Sequence, residues 1–184
     1  RNEPEEMSGL ELMVLLAGFT ALPDYAPGAA TTNFRDVGDA AARSFPWPGF
    51  QSIMDFMDEQ PFHPEALLQA AGLAGRMGID PVAENLYHRF IGLCRGMGSS
   101  GDGRSTLSPI LSLCPEDRLN FLQVYAGLHT GPRTRFEGPF GPVERVDILG
   151  RQPGSPWPED PPEALFFHIA PEEAAQSGGQ LLTA

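Results

Sequence analysis

The chain has 184 residues, 41% of them apolar, and a formal net charge of −12; that is enough length to bury a real core and too apolar for compositional disorder. All twelve basic residues are arginine, so within this chain no Walker-type phosphate loop, protein-kinase lysine or Schiff-base lysine can exist. Both ends are acidic: residues 1–75 hold three arginines against eleven acids, residues 76–151 nine against eight, and residues 152–184 five acids and no base. This distribution disfavours broad contact with a phosphate backbone.

In chain order, residues 4–20 read as a helix that is apolar all round. Pro4, Glu5 and Glu6 suit its first turn, and Leu12, Leu15, Leu16 and Phe19 extend the apolar surface beyond a single face. Such a helix is buried in its own core or in a partner, and it is too short to span a bilayer. Asn33 to Arg43 reads as a second short helix. Pro46-Trp47-Pro48 then predicts an extended segment, because prolines on both sides of Trp47 disfavour helix. Gln51–Glu59 reads as a helix with Asp55, Asp58 and Glu59 on a solvated side.

Residues 62–97 carry the clearest pattern, a helical hairpin. Gly78 suits the left-handed position that ends one helix, Asp80 an N-cap, and Pro81 the first turn of the next. Small residues, Gly72 and Gly75 among them, line the first helix; Val82, Leu86, Phe90, Leu93 and Met97 form a stripe on the second. Residues 98–105 read as a surface loop, and Thr106–Leu113 as a short helix or an extended turn. Cys114-Pro115-Glu116-Asp117 opens a further helix that is expected to stop at Gly131-Pro132. Two strands, Arg133–Glu137 and Val143–Leu149, are expected around a Gly138–Pro142 turn. Residues 150–162, with a second Pro156-Trp157-Pro158, read as a proline-rich linker before a third strand at Ala164–Ile169 and a helical turn at Pro171–Gln176.

The fold expected from these elements is mainly α. A compact helical domain spans residues 1–131 around the central hairpin, and a Pro-rich extension, 132–184, carries a small β element docked on that domain or on a partner. Cys94 and Cys114, the two cysteines, lack a metal or disulfide spacing and read as reduced thiols, which favours a reducing compartment. The compartment itself is not legible. A chain opening at Arg1 without methionine is consistent with a processed or trimmed mature protein.

Candidate sites are sparse. Gly96-Met97-Gly98-Ser99-Ser100-Gly101 matches G-x-G-x-x-G in letters, but a helix precedes it and a loop follows, the wrong context for a dinucleotide. The four histidines form no zinc pattern, and neither a metal nor a cofactor is expected. Cys114 at a helix start could have a lowered pKa. The function expected is that of a non-catalytic interaction protein, a structural or accessory subunit of a larger assembly whose partners are other protein subunits. Its partner-binding residues would be Leu12, Leu15, Leu16, Phe19, Trp47, Phe50 and Trp157, the tryptophans as stiffly presented anchors. No transmembrane span is expected, although peripheral association with a membrane or membrane complex stays open. The alternative is a small enzyme or ligand-binding protein with a pocket between helices, near Glu84, Tyr87, His88 and Cys94. Nucleic-acid binding would need Arg76, Arg89, Arg95 and Arg104 on one face and is not expected.

Overall fold

A computed structural model describes residues 46–169 except 113 and 159, the backbone at 182–183, and the isolated positions Glu11 and Gly18. Apart from Glu11 and Gly18, the expected helix at 4–20 lies outside those residues, as do the expected helix at 33–43, the anchors Leu12, Leu15, Leu16 and Phe19, and the turn at 171–176. The chain divides into two compact units, Pro23–Leu93 and Arg1–Leu22 together with Cys94–Ala184.

In the first unit, helix α1 is Pro46–Glu59, α2 is Pro64–Arg76, and α3, Asp80–Ser100, begins here and runs across the boundary into the second. The expected extended Pro46-Trp47-Pro48 is instead the first turn of α1. The first backbone N–H groups of any helix lack intrahelical acceptors, so prolines there forfeit nothing. Ile53, Met57 and Phe50 of α1 are buried, as are Leu67, Ala70, Leu73 and Ala74 of α2, the spacing of an apolar stripe. His63 caps α2: its Nδ1 accepts the Ala66 N–H at 3.3 Å, and its ring meets Phe56 edge-on at 5.4 Å. The hairpin joint is as expected, with Gly78 at φ 72°. Gly72 and Gly75, however, are exposed.

The second unit is built on a mixed sheet in the order β1-β4-β3-β2-β5, with β1 at Ile110–Leu111, β2 at Leu128–Gly138, β3 at Gly141–Arg151, β4 at Ala164–His168 and β5 at Leu182–Thr183. The mainly α expectation is therefore wrong: the protein mixes helices with a sheet. β2 and β3 are antiparallel and span 11 residues each. Gly131-Pro132, read as a helix stop, lies inside β2, where an irregular pairing tolerates proline. The helix before it ends earlier. Cys114 opens α4, Pro115–Leu119, which passes into a π-helical segment, Asn120–Tyr125. Ile110–Leu111, not helical, pairs in parallel with Phe167 and His168. The outer edge of β1 is capped where the Leu111 N–H donates to Ser100 Oγ at 2.7 Å.

Registers align Arg135, Glu144, Phe167 and Ile110 across four strands, so they share one face. Val146 and Leu165 lie on the same face, fully buried. Phe121 of the π-helical segment meets Phe167 edge-on at 6.1 Å, so this face is the core of the unit. Residues 152–158 are pinned rather than a free linker: the Gln152 N–H donates to the Gly127 carbonyl at 2.8 Å, and Ser155 Oγ to the Ala126 carbonyl at 2.6 Å.

Candidate interaction site

Two polar constellations of the second unit are sealed inside it. On the core face Arg118 Nε lies 2.8 Å from Glu144 Oε2, with side-chain exposures of 0% and 3%. Arg135 Nε approaches Glu144 Oε1 at 3.3 Å, and Arg133 reaches the same carboxylate at 3.9 Å. Arg118 Nη1 also donates to Ser112 Oγ, which donates to the His168 carbonyl, both at 3.0 Å. The cluster ties α4 to three strands. At the start of α4, Cys114 donates from Sγ to Asp117 Oδ1 at 3.0 Å and from its N–H to Oδ2 at 3.2 Å. Burial, and then the Asp117 carboxylate, push the thiols of both Cys94 and Cys114 up. This is the opposite of the lowered pKa that a helix start suggested for Cys114, because desolvation and a neighbouring anion outweigh the helix end. Neither thiol is primed as a nucleophile.

A third constellation opens to solvent. A shallow hollow is lined by Gln123, Leu128, His129, Thr130, Leu149 and Gln152, and two backbone irregularities build it. The first is the π-helical segment, whose wider turn is closed by the Ala126 N–H donating to the Phe121 carbonyl at 2.8 Å. Gln152 Nε2 donates to the Gln123 and Leu128 carbonyls at 3.1 and 3.3 Å, and Gln123 Nε2 donates to Thr130 Oγ1 at 2.8 Å. These side-chain amides satisfy carbonyls where the helix gives way to strand.

The second irregularity is a double bulge. His129 pairs with Gly150 and Thr130 with Ile148, so Leu149 is an extra residue on β3; Arg133 then pairs with Val146, leaving Gly131 and Pro132 opposite Asp147 alone. A bulge re-aims a side chain, and Leu149 stands 70% exposed. Val124, 44% exposed, is a second apolar side chain held in solvent by the neighbouring π-helical segment. π-helical turns and bulges both weaken regular hydrogen bonding and recur at functional sites.

The residues singled out in the sequence are placed otherwise. Glu84, Tyr87 and His88 are exposed on α3, whereas Cys94 is fully buried; the structure does not gather them into one pocket. Phe50 is buried, with Trp47 beside it, ring to ring at 5.9 Å and 48% exposed. Trp157 is partly buried, and its backbone N–H donates to Ser155 Oγ. Arg76, Arg89, Arg95 and Arg104 are all exposed, two in each unit. Asp55, Asp58 and Glu59 are exposed, and among the described residues no group of three His, Cys, Asp or Glu side chains could hold a metal. The G-x-G-x-x-G letters fall on the end of α3 and the residue after it, so a helix rather than a strand leads into them. No described helix is long and apolar enough to cross a membrane. Sequence reasoning missed the hollow entirely. Its one signal was Gly131-Pro132 within a strand pattern, a mark of a bulge.

Comparison with protein-family models, with curated proteins and with solved structures finds no match for this chain.

Proposed function

We propose that this chain is a non-catalytic interaction protein, a structural or accessory subunit of a larger protein assembly, and that the hollow of the second unit is where it receives a partner. The observation that carries this reading is Leu149: the double bulge holds a large aliphatic side chain 70% exposed beside an amide-lined depression. A single exposed leucine is ordinary on a protein surface; what supports the reading is its place on a double bulge beside a hollow, since bulges re-aim side chains and recur beside functional sites. The buried ion cluster and the two buried thiols support the same reading, since their chemistry is turned inward.

The test is site-specific photo-crosslinking in the native host, with a photoreactive residue at position 149 and, as a control, at Leu107, which is 68% exposed. A discrete heavier product from position 149 and none from 107 is expected. A chain that sediments as a free monomer and gives no product at 149 overturns the proposal.

A further inference from the structure

We infer that β5 is a removable strap, and that the edge of β2 beneath it is a self-complementary pairing site for a second copy of this chain. β5 is the outermost strand of the sheet and joins β2 through two residue pairs, Phe136 with Leu182 and Glu137 with Thr183. The two strands run parallel, the sense that is slightly less stable per residue. β2 and β3, by contrast, hold each other as antiparallel strands of 11 residues each. A β2 edge without its strap is a template for another strand. This edge lies at the opposite end of β2 from the hollow, and the inference does not depend on that site.

The backbone shows which groups the edge presents. The Ile169 N–H donates to the Pro142 carbonyl at 3.1 Å, so Pro142 faces the β4 side of β3. Its partner on β2 is Glu137; the two turn away from each other, so Glu137 directs its backbone groups towards β5. With a period of two, Arg135 and Arg133 do the same. Two copies of this edge can pair antiparallel only about a two-fold axis through a residue, because only then do outward-facing groups meet outward-facing groups. An axis at Thr134 sets Arg133 against Arg135, one at Arg135 sets that arginine against itself, and one at Glu137 does the same with glutamate; like charges directly opposite are destabilising. An axis at Phe136 sets Arg135 against Glu137 twice over and Phe136, half-buried, against its own copy, pairs that stabilise a sheet. The residues in that register are the ones β5 covers, so strap and second copy exclude each other.

The test unseats the strap within the whole chain by Leu182→Pro with Thr183→Pro, since proline has no N–H to give the ladder. Sedimentation is then followed over about a hundredfold range of concentration. The strap variant is expected to dimerise as concentration rises, with an unchanged cooperative melt, while the native chain sediments at one rate. Glu137→Arg, at an exposed position, puts arginine opposite Arg135 and should weaken that dimer by about tenfold. The register is read by disulfide trapping. At a non-hydrogen-bonded pair the Cα atoms stand about 4.5 Å apart, within disulfide reach, so Phe136→Cys in the strap variant should give a covalent dimer on oxidation with diamide. Thr134→Cys, which would face Gly138, should not, and the native thiols are buried. A strap variant that stays monomeric at every concentration overturns the inference. So does a dimer indifferent to Glu137→Arg, or one trapped through position 134 rather than 136. Loss of the cooperative melt overturns it too, because β5 would then be part of the fold and no strap.

Discussion

Arg118 and Glu144 meet at 2.8 Å with both side chains almost wholly buried. Removing one partner of a buried pair strands the other charge and typically costs about 3–5 kcal/mol, whereas exchanging both for apolar groups of similar volume is often neutral. Glu144→Ala is therefore expected to lower unfolding stability by about 3 kcal/mol or more, because it removes the shared anion of Arg118, Arg135 and Arg133. Arg118→Met with Glu144→Leu should recover part of that loss but not all, since Arg135 loses the same carboxylate. Urea titration of the three chains checks the order. A double variant less stable than Glu144→Ala would show that the rest of the cluster matters more than the pair.

The thiols make a pH prediction whose sign follows from linkage. Cys94 and Cys114 have folded pKa values raised above the ordinary 9.0, chiefly by burial. Below pH 9.0 both states hold their protons, and the contribution to stability is fully present. Above it the unfolded chain ionises while the folded thiols stay protonated, so stability falls as pH rises from 9.0 towards the folded values, at up to about 1.4 kcal/mol per pH unit for each thiol. Thermal melts from pH 8 to pH 10.5 should show this decline, and Cys94→Ala with Cys114→Ala should flatten it. An equally steep decline in the double variant removes the thiols as its cause. The native chain should also react with a thiol reagent only as fast as it unfolds.

Two glycine substitutions separate backbone cost from packing cost. Gly72 lies within α2, exposed, with open space where a Cβ would stand, so Gly72→Ala should stabilise by about 0.5–1 kcal/mol through helix propensity. Gly103 has φ +65°, and a Cβ there would lie 2.8 Å from Ile110 Cδ1 and 2.9 Å from Leu165 Cδ2, both buried. Gly103→Ala meets left-handed strain and overpacking together and should cost about 2 kcal/mol or more. Denaturant midpoints check both signs. A destabilising Gly72→Ala would mean that a neighbour approaches this stretch after all, as its run of small residues suggested.

The hairpin and the strands were legible because their signals are local. Apolar period, the Gly78–Asp80–Pro81 joint and the alternation around Val146 and Ile148 need no knowledge of tertiary contacts. The hollow was not, because every residue that makes it is ordinary in sequence. Gln123 reads as helix surface and Leu149 as a strand end, and only pairing across β2 and β3 reveals that one is an extra residue. The Pro-Trp-Pro segment misled for a related reason. Proline forbids the middle of a helix but not its first turn, and Pro46 and Pro48 both fall there. The mainly α expectation fails because Gly131-Pro132, which reads in sequence as the end of a helix, is the bulge of a long strand.

That bulge supplies the last prediction, which joins the fold to the proposed site. Leu149 lies across Gly131: a Cβ at position 131 would stand 3.0 Å from Leu149 Cδ2, 3.1 Å from its Cγ and 3.3 Å from Asp147 Cβ. Distances of this kind force the neighbour to give, and the cheapest movement available is that of Leu149, a flexible side chain mostly in solvent. Gly131→Ala should therefore leave the sheet and its buried face intact, with a stability change of no more than about 1 kcal/mol. It should nevertheless displace Leu149 from the hollow. The expected result is a near-unchanged melting temperature together with loss of the crosslink from position 149, while Gly72→Ala, in the other unit, keeps that crosslink. An undiminished crosslink in Gly131→Ala would mean that the position of residue 149 does not matter to the partner, and the double bulge would then be a device for bending β2 and β3 rather than for presenting a side chain.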